Sequence, residues 1–193
     1  MLAKGLKLYE EGELDDAMRC ANEVLNEKFD EPKALFLAAS CCMKAGRVGL
    51  AHAIFSRVAG MHPDKPQTWN NLGNCYHEIA DFKNAEIMYK KAHKLDPENA
   101  ATMNNIALMH LVKCEPSLAI EWADKTLKAN PNSRDAPWNR ALSCLMLGKW
   151  EEGWSSFDAA LGSKFRREIQ YQDEDRWTGA KDQVVVVCIP WTL

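Results

Sequence analysis

The sequence predicts an all-α fold built from about five helix-turn-helix repeats, and three observations carry that prediction. A small residue returns every 34 residues, at Ala17, Ala51, Ala85, Ala119 and Gly153. Pro63, Pro97 and Pro131 keep the same interval; proline lacks an N–H and pushes the residue before it out of the helical region, so it ends a helix. Gly12, Gly46 and Gly148 hold a third phase of the same period, where a tight turn between two helices favours a residue of positive φ. Ala80 and Cys114 replace glycine in the middle copies, so the turn is expected to vary along the chain.

Reading outward from the clearest copy, Pro66 to Asn99, places repeats at about 1–31, 32–65, 66–99, 100–133 and 134–161, with a non-repeat segment at 162–193. Within each repeat a first helix, A, needs large apolar residues at positions 4, 7 and 11 and a small one at 8; in the clearest copy these are Trp69, Leu72, Tyr76 and Gly73. A second helix, B, needs small residues at positions 20 and 27 and an aromatic at 24 to fill the gap between helices; these are Ala85, Ala92 and Tyr89, closed by Pro97. The first repeat starts at its fourth slot, with Met1, Ala3 and Gly5 opening helix A and no capping unit before them, as if the chain began abruptly or had been cut there. The fifth is looser: Trp138 lies one residue past the aromatic slot, Arg140 takes an apolar slot and Phe165 stands where proline would be. Irregular end units are usual in such arrays, because each loses one stacking neighbour. After Leu161 come a charged stretch, a turn at Trp177, Thr178 and Gly179, and Val184–Val187. Four β-branched residues in a row favour a strand.

These residues make the chain resemble the tetratricopeptide repeat (TPR) family over most of its length. The resemblance implies a right-handed superhelix in which the A helices line a concave groove. It also implies a function of holding a protein or an extended peptide rather than chemistry in a cleft. The chain is accordingly expected not to be an enzyme and to need no cofactor.

Composition narrows the function further. At 193 residues, 47% hydrophobic and 26% charged, the chain can bury a continuous core along one elongated stack. A net charge of −3 argues against nucleic acid, which calls for a basic face. No run of about 18 apolar residues exists to span a membrane. MLAKGLKLYEEG carries acids by its tenth residue and has no apolar stretch, unlike a secretory signal, so a cytoplasmic location is expected. Seven cysteines show no CxxC pair and read as reduced thiols acting as small core hydrophobes. His52, His62, His77, His93 and His110 lack metal-ligand spacing, so no metal is expected. His110 occupies the slot of Tyr76 and reads as a packed aromatic substitute.

The polar feature that points to a site lies on the expected inner surface. Position 6 is asparagine in three consecutive repeats, Asn71, Asn105 and Asn139, joined by Asn70 and Asn104 at position 5 and Asn74 at position 9. An amide both donates and accepts, so such a ladder can hold the backbone of an extended peptide without reading its side chains. It resembles the asparagine ladder of protein O-linked N-acetylglucosamine transferases, although asparagine at these slots is also common in TPR repeats generally. Binding of a C-terminal carboxylate by a two-carboxylate clamp is disfavoured. Its cation slots hold Phe36, Ala101 and Asn105, and Asn70, Asp135 and Asn139 in the register one repeat later. Toward the C-terminal end the groove positions turn apolar, with Leu108, Leu111, Val112, Trp138, Leu142, Leu145 and Met146, a strip that marks a contact surface.

A second resemblance covers about 35 residues at the C-terminal end. Gly153, Trp154 and Phe157, then Trp177, Thr178 and Gly179 before the valine run, are similar to the junction of proteins in which TPR repeats precede a glycosyltransferase domain. The glycine-rich loop that opens such a domain does not follow. This leaves two readings: a stand-alone adaptor, or the substrate-recruiting module of a truncated or split glycosyltransferase, non-catalytic by itself. The valine strand further suggests a homodimer formed through the C-terminal region.

Overall fold

The computed structural model describes residues 1–160, and within them the chain forms ten α-helices and no strand. The A helices are α1 (Leu2–Glu11), α3 (Pro32–Lys44), α5 (Pro66–Glu78), α7 (Ala100–Val112) and α9 (Ala136–Met146). The B helices are α2 (Leu14–Glu27), α4 (Val48–Met61), α6 (Phe82–Leu95), α8 (Pro116–Ala129) and α10 (Trp150–Ala159). The expected strand at Val184–Val187, the turn at Trp177–Gly179 and Phe165 lie outside the described residues.

Local chemistry sets the helix ends. Pro32, Pro66 and Pro116 stand at the first position of α3, α5 and α8, where a missing N–H costs nothing and the fixed φ suits the helix. Asp81 and Asn99 cap α6 and α7 by accepting from the backbone N–H of Asn84 at 3.2 Å and of Thr102 at 3.1 Å. At the other end, His62, Asp96 and Asn130 close α4, α6 and α8 with φ between −134° and −142° and ψ between 70° and 90°. The prolines immediately following them suit these conformations, which Lys28 also adopts at the end of α2 before Phe29.

The A-to-B turn differs from the sequence expectation. All five copies use the left-handed region, with φ of 90°, 72° and 71° at Gly12, Gly46 and Gly148 and of 59° and 57° at Ala80 and Cys114. The turn is therefore uniform in shape though not in residue type, and the two middle repeats hold a side chain where its Cβ crowds the backbone.

Each helix packs on the next, and A helices also pack on one another, α1 on α3 and α7 on α9. The periodic small residues explain the close approach. Ala17, Ala51, Ala85 and Ala119 are fully buried. A Cβ on Gly153 would lie 2.6 Å from Leu145 Cδ2, and one on Gly73 2.4 Å from the ring of Tyr89. Tyr89 itself is 1% exposed and fills the gap beneath α5, as the aromatic slot requires. The core is a chain of clusters rather than one centre: Leu37 and Cys41 with Ala17; Phe55, Leu72 and Cys75 with Ala51; Tyr89, Ile106 and Met109 with Ala85. That is the packing of a solenoid, where each unit buries its neighbours.

Two irregular residues find polar roles. Arg140, in an apolar slot of α9, reaches Asp124 of α8 at 2.8 Å and Ser156 of α10 at 2.6 Å. It ties three helices together where a hydrophobe would have joined two. His110 is more than a packed ring: its Nδ1 lies 2.7 Å from Glu115 Oε2 across the turn that follows α7.

Candidate peptide-binding groove

The six asparagines sit on three successive A helices, α5, α7 and α9, and their amides meet across the repeat boundaries. Asn105 Nδ2 donates to Asn70 Oδ1 at 3.0 Å and to Asn74 Oδ1 at 3.1 Å. One repeat on, Asn139 Nδ2 donates to Asn104 Oδ1 at 3.0 Å. The rule is the same at both junctions: position 6 of one repeat donates to position 5 of the repeat before it. Tyr89 Oη also donates to Asn74 Oδ1, at 2.9 Å, linking this ladder to the buried aromatic slot of helix B. Side chains bridge successive A helices in this way only where those helices come within reach of one amide pair.

The ladder is graded in depth. Asn139 is 0% and Asn104 9% exposed, whereas Asn70, Asn71, Asn74 and Asn105 are partly exposed. Asn139 and Asn104 therefore bond to each other beneath the surface, and Asn139 Oδ1 has no partner among the described residues. Toward the N-terminal side the arrangement is looser. Asn71 accepts from Asn74 at a long 3.5 Å, since the position-5 residue before it is Phe36 and carries no amide. The side-chain N–H groups of Asn70 and Asn71 make no hydrogen bond among the described residues, and they are the donors an incoming peptide carbonyl could meet. Sequence reasoning found these residues but not their mutual bonding; the signal was the pairing of positions 5 and 6 at an offset of 35.

Trp138 lies at the apolar end of the groove. It is partly buried, its ring 5.3 Å from that of Phe157, which in turn meets Trp154 edge to face at 5.6 Å. Val112 and Met146 are 38% and 50% exposed, and Leu108, Leu111, Leu142 and Leu145 are partly buried. The junction-like residues Gly153, Trp154 and Phe157 thus have a packing role within the last helix pair.

Little reactive chemistry accompanies the groove. Burial pushes the Cys75 thiol up to about 11 and raises Cys41, Cys42 and Cys144 as well, so these groups stay protonated and apolar. Cys20 is buried too, while Cys114 is exposed. Among the described residues no three His, Cys, Asp or Glu side chains are placed to hold a metal ion, and no helix is long and apolar enough to cross a membrane.

Two tetratricopeptide repeat family models match the sequence, one over residues 2–66 and one over 66–99, together half of the chain. The chain is a tetratricopeptide repeat protein. Its fold matches solved structures of the same kind. A thermophilic TPR protein of Thermus thermophilus superposes with a TM-score of 0.74 at 20% identity, covering 84% of this chain and 89% of that one. PilF of Pseudomonas aeruginosa gives 0.73 at 19%, covering 82% and 72%, and MamA gives 0.66 at 21%, covering 81% and 91%. At such identities the likeness establishes the TPR superhelix and nothing finer. Curated relatives include cellulose synthase operon protein C of Pseudomonas fluorescens, 26% identical over 79% of this chain, and the BBSome complex member BBS4 of Mus musculus, 26% identical over 51%. This TPR chain spans only 12% and 19% of those two proteins.

Proposed function

We propose that this TPR protein is a non-catalytic scaffold that holds an extended peptide segment of a protein partner in its concave groove. The observation that carries this reading is the continuous row of amides on α5, α7 and α9, with uncommitted donors on Asn70 and Asn71 leading into an apolar strip. Asn70, Asn71, Asn74 and Asn105 would contact peptide backbone, Trp138 and its neighbours would take apolar side chains, and Asn104 and Asn139 would hold the wall in place.

The test is selection of peptides from a random display library on the immobilised chain, followed by titration of variants. Asn71→Ala is expected to weaken a selected peptide about fivefold, the worth of roughly one 1 kcal/mol hydrogen bond, with an unchanged melting temperature. Leu142→Lys is expected to abolish binding of peptides carrying an apolar anchor. Selected peptides that bind both variants as well as they bind the original would refute the groove.

Two further readings attach to the C-terminal end. Self-association there, as a homodimer, would bury the apolar strip against a second copy and would appear as concentration-dependent sedimentation. A recruiting role beside a glycosyltransferase rests on Gly153, Trp154 and Phe157, and predicts that the protein co-purifies with sugar-nucleotide-dependent transferase activity.

A further inference from the structure

The outer side of the stack carries a cleft that the groove reading does not use. It has a volume of about 410 Å3 and lies between α4 and α6 with α5 as its floor, lined by Ala59, Gly60, Trp69, Tyr76, Met88 and Lys91 among others. The cleft exists because this repeat junction departs from the pattern of the next. Ser56, Ala59 and Gly60 of α4 become Lys90, His93 and Lys94 one period later, and Met88 becomes Trp122. There the rings of His93 and Trp122 meet edge to face at 5.0 Å across the corresponding space. At the earlier junction small side chains leave it open.

The walls are ordered and charged in one sense. Trp69 donates from Nε1 to the Pro63 carbonyl at 2.8 Å, which fixes its ring, and the Lys91 ammonium stands 3.2 Å from the centre of that ring. Lys91 forms no ion pair among the described residues, so its charge is balanced only by the ring face. Lys91 is the one charged side chain in the lining; on the same helix Lys83 and Lys94 also form no ion pair among the described residues, whereas Lys90 is held by Glu86 and Arg57 of α4 by Asp30. The cleft thus carries an unpaired positive charge on a chain whose net charge is −3.

We propose that this outer cleft docks one aromatic or large aliphatic side chain of a partner protein, presented within an acidic segment whose carboxylate pairs with Lys91. The apolar floor supplies the anchor contact and the basic rim selects the flanking sequence. The site is remote in kind from the concave groove, so the protein can hold two segments, one on each side of the stack, and neither proposal depends on the other.

The probe is a short peptide with one phenylalanine between aspartates and glutamates, titrated into the full chain while the indole N–H resonances are followed by NMR. The expected result is a saturable shift of the Trp69 indole, absent when the phenylalanine is alanine or when the acids are lysines. Lys91→Glu is expected to weaken binding at least tenfold. Gly60→Phe should fill the cleft and weaken it as strongly; no atom lies within 4 Å of a Cβ built at Gly60, so this variant should fold normally. Unaltered binding in both variants, shifts confined to the asparagines of α5 and α7, or no saturation at millimolar peptide would each overturn the proposal.

Discussion

A single backbone region recurs at five residues 34 apart, and two of those residues are suited to it poorly. Ala80 and Cys114 hold φ near +60°, where an L side chain costs about 1–2 kcal/mol that glycine does not. Both are exposed, so replacing them removes no core contact. Ala80→Gly and Cys114→Gly should each stabilise the fold by about 0.5–1 kcal/mol once the greater freedom of glycine in the unfolded chain is set against the relief of strain; urea denaturation of each variant beside the original protein checks this. The thiol of Cys75 offers a second test at the same scale. Burial raises it from 9.0 to about 11, so between these values the unfolded chain releases a proton that the folded one keeps. The contribution of this thiol to stability should be level below pH 9 and fall as pH rises toward about 11. Melting temperatures across that window should decline less steeply in Cys75→Ala than in the original.

Between elements the decisive feature is the amide bond from position 6 to position 5 of the preceding repeat. Asn105 with Asn70 joins α7 to α5, and Asn139 with Asn104 joins α9 to α7. In a double-mutant cycle, Asn70→Ala and Asn105→Ala should together cost less than the sum of their separate effects. Removing Asn105 leaves Asn70 Oδ1 without its protein partner and removing Asn70 leaves Asn105 with Asn74 alone, whereas removing both loses the shared bond only once. A coupling of about 0.5–1 kcal/mol by urea denaturation is expected, and strict additivity would mean that the two side chains act independently. The sequence made these asparagines visible as a row on one face of the A helices. It could not reveal that Asn139 is buried or that the amides bond to one another, because both depend on how closely adjacent A helices approach. The same limit explains Arg140, whose partners Asp124 and Ser156 come from two other helices, and His110, whose partner Glu115 lies across a turn.

For the whole molecule, the helical repeat architecture was legible because its cause is periodic. Small residues, prolines and aromatic fillers recur with the spacing of one helix pair, and each acts on its nearest neighbours only. The outer cleft was not legible, because it arises from what is missing at one junction: no single residue marks it, and Ser56, Ala59 and Gly60 look unremarkable until Lys90, His93 and Lys94 are laid over them. The last three repeats share an inner bonding rule at both of their junctions, and that rule governs how this part of the array could grow. A tandem duplication of the unit 66–99 would place a second Asn71 after the first Asn70 and preserve the series. Transposing the unit 32–65 to the position just before 100–133 would set Asn105 against Phe36 and break it. From 66 onward the units are therefore not interchangeable parts: their order is written into complementary side chains, and lengthening by duplication is compatible with that order only where both halves of the pair are copied together.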